Sequence, residues 1–471
     1  MEIIHVAAEC FPMAKVGGLA DVVGALPKYQ IQLGHLAKVV MPMHKTSFLH
    51  ANEWDVAYKG EMFMQHQQIH YTIIKEKSNA LGFDLYCVDI LGLLDRESVY
   101  GYEDDQYRYI AFQMAVVDWM SQWQHQPDVV HVHDYHAGLI PFFMRYCQAY
   151  THLSSIKTVL TVHNAQYQGW MDWTFANYFP AFDQWKSGML EWNNQINPLA
   201  SAIKCADKVT TVSATYMQEL MNQANGLEQL FQYEQGKCTG IINGIDYDIW
   251  NPATDSRLLH YFDVQTAATG KQLNKKELCE TFGFDIKLPL IIFIGRLVGE
   301  KAADLLPDAI HQSFERYYNQ FNVLVLGNGN PAIENALSSI RERWYGYYHS
   351  QITYNETLSH QMYAGADFLL MPSRVEPCGL NQLYAMRYGT IPIVRRTGGL
   401  NDTVLDVGDG GYGICFNQAS LLDIVYSIGR AIELYQHQEL TSSIRQKMMT
   451  INNSWNKSAA EYIELYYSIY R

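Results

Sequence analysis

The stretch Phe368-Leu-Leu-Met-Pro-Ser-Arg-Val-Glu-Pro-Cys-Gly-Leu-Asn-Gln-Leu-Tyr-Ala-Met-Arg-Tyr-Gly389 combines an apolar run, a polar loop and a helical pattern. The apolar run predicts a buried strand. Glu376 precedes Pro377, and proline suits the first position of a helix because it has no N–H to leave unpaired. We therefore predict a helix that begins at Pro377. The residues after it would present unpaired N–H groups at this helix start: Cys378, Gly379, Leu380 and Asn381.

A carboxylate beside such a helix start suggests a particular kind of ligand. Unpaired N–H groups and the helix dipole bind anions. Glu376 would then lie next to a phosphate, close to the reacting centre of a substrate. An ordinary capped helix is the plainer alternative.

Short apolar runs alternate with helical patterns along most of the chain. In the first half the runs cover residues 3–7, 38–41, 129–133, 158–162 and 209–212, and in the second half 290–294, 323–326, 368–371 and 391–394. Continuous apolar strands that alternate with helices indicate parallel sheets covered on both faces. The sequence therefore predicts an α/β protein with two doubly wound, Rossmann-like domains facing across a cleft. Ligands of such folds bind at the carboxyl ends of the strands.

The composition argues against several classes of protein. A net charge of −14, without a long run of Lys or Arg, argues against a nucleic-acid partner. No apolar run approaches the roughly 20 residues of a membrane span, and the first residues lack the basic charge of a secretory signal. The 8 cysteines include no CxxC pair, so neither a disulfide framework nor a zinc ribbon is indicated. We therefore expect a cytoplasmic protein without a membrane partner.

Two glycine pairs follow predicted strands, in Lys15-Val-Gly-Gly-Leu19 and in Thr397-Gly-Gly-Leu400. Glycine lets the backbone approach a ligand closely, and Lys15 would add a positive charge. Neither pair has the G-x-G-x-x-G spacing, so an NAD-dependent oxidoreductase is not supported. Each pair indicates either a ligand contact or a plain tight turn.

A pair of basic residues follows the apolar run 290–294. Arg296 offers a forked set of donors and Lys301 a compact charge. Together they could hold a diphosphate and stabilise it as it leaves. The alternative is two solvated side chains near a strand end.

Polar side chains also end two strands of the first half. In the run from His131 to His136, His131 and His133 share one face of a strand, and Asp134 begins the turn. The order of residues differs from the His-x-His-x-Asp-His motif of metal-dependent hydrolases, so we expect no metal there and place Asp134 towards the cleft. The next strand ends in His163 and Asn164, which form a second candidate pair.

Taken together, these motifs resemble those of bacterial glycogen synthases and plant starch synthases. The family order is kept by Lys15-Val-Gly-Gly-Leu, His131-Val-His-Asp-Tyr-His, Thr161-Val-His-Asn, Asn243-Gly-Ile-Asp, Arg296 to Lys301, and the specific run from Ser373 to Val404. The resemblance implies the GT-B fold and transfer of glucose from ADP-glucose or UDP-glucose to the non-reducing end of an α-1,4-glucan. It implies retention of configuration and no metal or other cofactor.

The resemblance also implies roles for individual residues. Glu376, Asp134 and His163 would act at the transferred glucose. The substrate-binding residues would be Lys15, Gly18, Asn164, Asn243, Arg296, Lys301, Tyr354, Cys378, Gly379, Leu380 and Asn381. Among these, Lys15 and Gly18 would contact donor phosphate, and Tyr354 the nucleotide base. No opposed nucleophile is evident, which favours front-face substitution.

The domains implied are residues 1–245, 246–455 and a C-terminal helix, 456–471, that returns to the first domain. Ala302 stands where the family commonly has Gly, and the short segment around Tyr100 leaves the role of that residue open. Two other functions stay open. One is another retaining transferase with a small acceptor, and the other is a non-catalytic relative that binds glucan.

Overall fold

The computed structural model describes residues 1–470, which divide into two compact units. One unit contains Met1–Ile242 and the chain from Trp455 onward, and the other contains Asn243–Ser454. Among the described residues, no helix is both long and apolar enough to cross a membrane.

The first unit is built around a large sheet. The strands of the unit are β1 (Glu2–Val6), β2 (Leu36–Pro42), β3 (Trp54–Met64), β4 (Gln67–Glu76), β5 (Asp84–Asp89), β6 (Val129–His133), β7 (Lys157–Val162), β8 (Glu191–Trp192), β9 (Gln195–Ile196), β10 (Lys208–Thr211) and β11 (Cys238–Gly240). Of these, β8 and β9 form a separate antiparallel pair. Its helices up to residue 242 are α1 (Gly18–Gln32), α2 (Ser47–Ala51), α3 (Asp105–Ser121), α4 (Ile140–Tyr146), α5 (Pro198–Cys205), α6 (Ala214–Leu220) and α7 (Glu228–Tyr233).

The strand order of this sheet is β11-β10-β7-β6-β1-β2-β5-β4-β3. The strands from β11 to β5 pair in parallel, and the five apolar runs predicted in the first half, which correspond to β1, β2, β6, β7 and β10, all lie in this part. The expectation of wholly parallel sheets is wrong at one edge, because β3 and β4 form an antiparallel hairpin that pairs with β5. Most of β3 is exposed, and so it lacks the continuous apolar pattern of a buried strand.

The second unit repeats the parallel design. Its strands are β12 (Leu290–Ile294), β13 (Asn322–Gly327), β14 (Tyr348–Ile352), β15 (Phe368–Met371), β16 (Ile391–Arg395) and β17 (Ile414–Phe416). Its helices are α8 (Ala267–Phe282), α9 (Leu306–Arg316), α10 (Pro331–Ser339), α11 (Glu356–Gly365), α12 (Asn381–Arg387), α13 (Gly398–Thr403), α14 (Leu421–Gln436) and α15 (Gln438–Met449). The order β14-β13-β12-β15-β16-β17 places β12 beside β15, so their carboxyl ends are neighbours.

The C-terminal helix α16 (Trp455–Ser468) belongs to the first unit. It packs against α1, and their shared apolar cluster includes Leu26, Tyr29, Trp455 and Tyr462. Tyr466 is fully buried on this helix and bonds to side chains of the first unit. The end of the chain thereby supplies part of the core beneath β1 and β6.

Candidate active site

Glu376 lies in a buried polar cluster of the second unit, on the loop that follows β15. The residue is buried, with 7% exposure. Nζ of Lys301 lies 2.7 Å from both carboxylate oxygens, and Oγ of Ser373 donates to one of them at 2.8 Å. A buried carboxylate is stabilised by such paired donors. Lys301 and Glu376, which lie 75 positions apart in the chain, are therefore in direct contact.

The predicted helix start at Pro377 is wrong, because α12 begins at Asn381. Gly379 has φ +71°, a left-handed conformation that interrupts a right-handed helix. The residues between Glu376 and α12 therefore form a turn. The N–H groups of Gly379 and Leu380 donate to no described residue, so this turn still presents donors. Asn381 anchors it to the end of β12 through a 2.7 Å bond to the carbonyl of Ile294.

The second glycine pair packs against this turn. A Cβ atom on Gly399 would lie 1.9 Å from the carbonyl oxygen of Cys378, and one on Gly398 2.1 Å from that of Glu376. The N–H of Gly399 also donates to the carbonyl of Glu376 at 3.2 Å. Close packing of two backbone segments thus accounts for Gly398 and Gly399. This packing holds the backbone that carries Glu376 in place.

The other residues predicted in this unit stand at separate strand ends. Arg296 follows β12, is 63% exposed and pairs with Glu300 at 3.3 Å. Tyr354 follows β14 at the edge of the sheet and is 75% exposed. Asn243 is buried, and its Oδ1 has no partner among the described residues. Only Lys301 among the predicted donors contacts Glu376 through its side chain.

A loop after β1 carries the first glycine pair. Gly17 and Gly18 have nothing within 4 Å of a Cβ position, and Gly17 has ordinary extended angles. Lys15 pairs with Asp21 at 2.6 Å. Neither packing nor backbone conformation within the unit therefore requires glycine here.

Glu9 organises this loop and was missed at the sequence level. Its buried carboxylate accepts hydrogen bonds from the N–H groups of Val16 and Gly17, and from the Tyr100 hydroxyl at 2.6 Å. Tyr100 thus belongs to the same cluster as the glycine loop. The available signal was an acidic residue two positions after the apolar run 3–7, where a charge is costly unless it is paired.

Asp134 and His163 meet at the ends of β6 and β7, which are adjacent strands. The N–H of His163 donates to Oδ1 of Asp134 at 2.7 Å. Burial raises the pKa of Asp134 to about 7, although the N–H groups of His163 and Asn164 oppose that rise. Burial lowers the pKa of His163 to about 3, so the ring is neutral at physiological pH.

The backbone at Asp134 is unusual. Its φ is +54° with ψ −171°, a region that residues other than glycine rarely occupy. Asn164 uses its Oδ1 to accept from the N–H of Gln166 at 2.9 Å, which shapes the turn after β7. The first unit therefore brings Asp134, His163 and Asn164 together at adjacent strand ends.

Comparisons with known proteins match both units. Residues 2–233 match the family described as the starch synthase catalytic domain, and residues 288–433 match glycosyl transferases group 1. The chain is 49% identical to a glycogen synthase of Flavobacterium johnsoniae, over 99% of this chain and 98% of that one. It is 36% identical to a glycogen synthase of Streptococcus pneumoniae, over the full length of both.

Solved structures agree with this result. The catalytic domain of starch synthase IV from Arabidopsis thaliana, bound to ADP and acarbose, matches with a TM-score of 0.89 and 31% identity, over 100% of this chain and 99% of that one. A sucrose-phosphate synthase from Thermosynechococcus elongatus has a TM-score of 0.64 at 15% identity, which shows the fold alone. The predicted α/β fold with two Rossmann-like domains, the GT-B fold, is confirmed.

Proposed function

The chain belongs to the family of glycogen synthases and starch synthases, and from that premise we propose that it transfers glucose from ADP-glucose to the non-reducing end of an α-1,4-glucan. The predicted family and glycosyltransferase activity are confirmed by relatives that match the whole chain. The observation that carries the proposed chemistry is the buried Glu376, held by Lys301 and Ser373 at a strand end.

The choice of donor rests on a similar protein. The starch synthase IV domain was solved with ADP and acarbose, a nucleoside diphosphate and a glucan-like sugar. Tyr354 of this chain exposes its ring after β14, where it could stack on adenine or on uracil. We infer ADP-glucose as the preferred donor, and UDP-glucose as the competitor.

The basic residues would stabilise the diphosphate leaving group. Breaking the bond between glucose and diphosphate builds negative charge on the diphosphate, which Arg296 and Lys301 would neutralise. Both side chains pair with carboxylates, Arg296 with Glu300 and Lys301 with Glu376. Donor phosphate would compete for these cations, and the release of Lys301 would leave the Glu376 carboxylate for the sugar. Lys15, Gly18 and the turn N–H groups of residues 378–381 would bind the remaining phosphate oxygens.

A carboxylate would stabilise the charge that develops on the sugar. Its anomeric carbon gains positive charge as the diphosphate leaves, and a nearby carboxylate stabilises that charge. We assign this role to Glu376 and place Asp134, His163, Asn164 and Asn243 around the glucose hydroxyls. No carboxylate is assigned to the opposite face, so retention is assigned to front-face substitution by the acceptor hydroxyl.

The role of Glu376 is tested by Glu376→Gln, which keeps the size of the side chain and removes its charge. We expect turnover to fall by at least ~100-fold while the protein stays folded. Glu300→Gln is the matched control, because it frees Arg296 without touching Glu376. Near-normal turnover of Glu376→Gln would refute the electrostatic role.

The whole reaction is tested by mixing ADP-glucose and UDP-glucose, each with a different isotope label, with glycogen and the protein. Incorporation mainly from ADP-glucose supports the proposal. Transfer to small sugars in preference to glycogen would support a different retaining transferase. Retention of glucan without release of either nucleotide would support a non-catalytic relative.

A further inference from the structure

Three imidazole rings, those of His163, His133 and His5, form a line that runs from His163 into the core. Nε2 of His163 lies 3.0 Å from Nδ1 of His133, and Nε2 of His133 lies 3.0 Å from Nδ1 of His5. Nε2 of His5 ends the line, 2.8 Å from Oε1 of Gln30 on α1. The side chains of His5, His133 and Gln30 are fully buried. We call His163, His133, His5 and Gln30 the histidine line.

The sheet explains why these rings meet. The strands β7, β6 and β1 are consecutive neighbours. His133 is the last residue of β6, His163 directly follows β7, and His5 lies in β1 opposite His131. Helix α1 then covers His5 with Gln30. The histidine line therefore runs across three strands, from the strand ends to the helix layer.

The acceptor at the end of the line decides where each proton sits. Oε1 of Gln30 can only accept, so Nε2 of His5 carries a proton. A neutral ring has one N–H, which leaves Nδ1 of His5 to accept from Nε2–H of His133. By the same rule, Nδ1 of His133 accepts from Nε2–H of His163. His163 is left with an unprotonated Nδ1.

A second chain of hydrogen bonds, which also begins at the Gln30 amide, supports this assignment of the protons. Nε2 of Gln30 donates to the Tyr466 hydroxyl at 3.1 Å, and that hydroxyl donates to Nδ1 of His131 at 2.7 Å. Nε2–H of His131 then donates to Thr161, which leads to Thr210 at 2.6 Å.

The end of this branch selects one direction. Thr210 donates its proton to the carbonyl of Leu160 at 3.2 Å. Turning the Gln30 amide over would reverse both branches. The single proton of Thr210 would then be used on Thr161, and the bond to Leu160 would be lost. The direction that leaves Nδ1 of His163 unprotonated therefore makes one more hydrogen bond.

The rings are neutral rather than cationic. Burial lowers the pKa of His5 to about 4 and the pKa of His163 to about 3, and it holds the pKa values of His131 and His133 well below the usual range. A proton added to Nδ1 of His163 would leave the contacts of the line intact, so the neutral state rests on burial, which disfavours a charge on the rings. Uncharged rings with one proton each satisfy every contact in the line.

A metal ion is the other use for this cluster. His5, His131 and His133 offer nitrogens within 4.8 Å of one another. Both nitrogens of each ring already have a protein partner: Gln30 and His133 for His5, Tyr466 and Thr161 for His131, and His5 and His163 for His133. An ion would have to break these bonds, so the hydrogen-bonded line is the better account.

We propose that His133, His5 and Gln30 are positioning residues that hold His163 as the Nε2–H tautomer, so that its Nδ1 accepts a hydrogen bond from a hydroxyl of the transferred glucose. The part of this inference that concerns the glucose hydroxyl, which we call its functional half, rests on the proposed function. Nδ1 of His163 has no hydrogen-bond partner among the described residues, and the residue is half-buried, whereas His5 and His133 are fully buried. A neutral acceptor suits a sugar that gains positive charge, whereas a cationic ring would oppose it.

The tautomers can be measured on the ligand-free wild-type protein. Labelling the histidines with ¹⁵N allows couplings across N–H···N hydrogen bonds to link three rings in sequence. We expect all three linked rings to carry the proton on Nε2 and to show an unprotonated Nδ1. Protonation on Nδ1 throughout, or the absence of any linked set of three rings, would overturn the proposal. This result does not depend on activity, so a failure of the proposed function is recognised separately.

Variants of Gln30 test whether the tautomer matters for transfer. Gln30→Met removes the acceptor at similar size and should give mixed His163 tautomers and about tenfold lower kcat, with little change in donor KM. Gln30→Glu, neutral when buried, can still accept from His5 and donate to Tyr466, so it should keep the tautomer and a higher kcat than Gln30→Met. A merely structural role predicts that both variants keep the tautomer. Equal kcat values despite different tautomers would overturn the functional half.

Variants of His133 give a second, independent comparison. His133→Gln retains one donor and one acceptor in the line, whereas His133→Leu removes both. We expect His133→Gln to restore the kcat that His133→Leu loses. Equal loss in two folded variants would show that His133 does not act through its hydrogen bonds.

Discussion

The two glycine pairs look alike in the sequence and differ in the structure. Gly398 and Gly399 press on the backbone of the Glu376 turn, where no side chain fits. Gly17 and Gly18 have open space on their Cβ side, and their loop is held instead by the Glu9 carboxylate. Packing within the unit explains the second pair completely. It leaves the first pair without an intramolecular reason to be glycine.

This difference separates two uses of one residue type. A glycine that touches backbone inside the fold is required by the fold. A glycine that touches nothing is not required by packing, and for Gly18 the proposed donor phosphate would supply another reason for glycine. Substitutions at the two pairs should therefore change different quantities, stability in one case and ligand binding in the other.

The largest effect is expected from Gly399→Ala. Its Cβ would meet the carbonyl oxygen of Cys378 at 1.9 Å, a clash between two backbones that no rotamer relieves. We expect a loss of about 4 kcal/mol or more in the free energy of unfolding, together with loss of transfer because Glu376 is displaced. Urea denaturation and a transfer assay measure the two effects.

Gly188→Ala is the control for this variant, since a Cβ there has nothing within 4 Å and the backbone has no positive φ. Its stability should stay within about 0.5 kcal/mol of the wild-type protein. An unaltered Gly399→Ala protein would mean that the two glycine pairs are equivalent after all.

The parallel strands were predictable, and the details of the loops were not. Apolar runs placed β6, β12 and β15 at their observed residues, because a buried parallel strand is apolar on both faces. The hairpin of β3 and β4 was not predicted, because most of β3 is exposed and lacks the apolar pattern of a buried strand.

The candidate site shows the same limit. Lys301 and Glu376 were predicted separately from local motifs, but their contact depends on the adjacency of β12 and β15. The helix start at Pro377 was wrong because Gly379 adopts φ +71°, in a turn whose backbone packs against residues 398–399. Local patterns thus identify residues at strand ends, whereas tertiary packing decides which of them touch.

Asp134 provides the next test, since it occupies a backbone conformation that suits glycine but carries a carboxylate. Its folded pKa, about 7, lies above the unfolded value of about 3.9. Its contribution to stability is therefore fully present below pH 4 and is lost as the pH rises through 7. Relative to Asp134→Asn, the wild-type protein should lose on the order of 3 kcal/mol between pH 4 and pH 8.

Urea denaturation of both proteins across that pH range measures this difference. Asp134→Asn keeps the backbone conformation and an oxygen to accept from the N–H of His163, so only the titration is removed. Parallel stability curves for the two proteins would show that the carboxyl titrates as it does in water.

Glu9→Gln tests the carboxylate that holds the loop of the first glycine pair, Gly17 and Gly18. The amide keeps one oxygen for the N–H groups of Val16 and Gly17 but loses the charge that strengthens both bonds. We expect donor KM to rise by roughly 10-fold or more, because hydrogen bonds to charged groups contribute about 1.5–3 kcal/mol. Tyr100→Phe is the control, as it removes only the partner of the other oxygen. An unchanged KM for Glu9→Gln would mean that the loop keeps its shape without the charge.

Gly18→Ala should leave the fold intact and weaken donor binding. An added methyl meets no protein atom, so the free energy of unfolding should change by no more than about 0.5 kcal/mol. The same methyl would stand where donor phosphate is proposed to approach, and we expect a rise in donor KM of about tenfold, or 1.4 kcal/mol. Acceptor KM is the internal control. If donor KM does not change, the first pair is a plain turn.

The smallest effect concerns Ala302, which is the reverse case, a left-handed position without glycine. Ala302 has φ +53° and is fully buried directly after Lys301. Ala302→Gly relieves backbone strain of about 1 kcal/mol but gives up a buried methyl of similar worth, so its stability should equal or slightly exceed that of the wild-type protein. Ala303→Gly, at an equally buried neighbour without positive φ, should lose about 1 kcal/mol or more. Calorimetry of the pair isolates the backbone term, since both changes remove one buried methyl. Equal losses would show that the loop carrying Lys301 stores no strain.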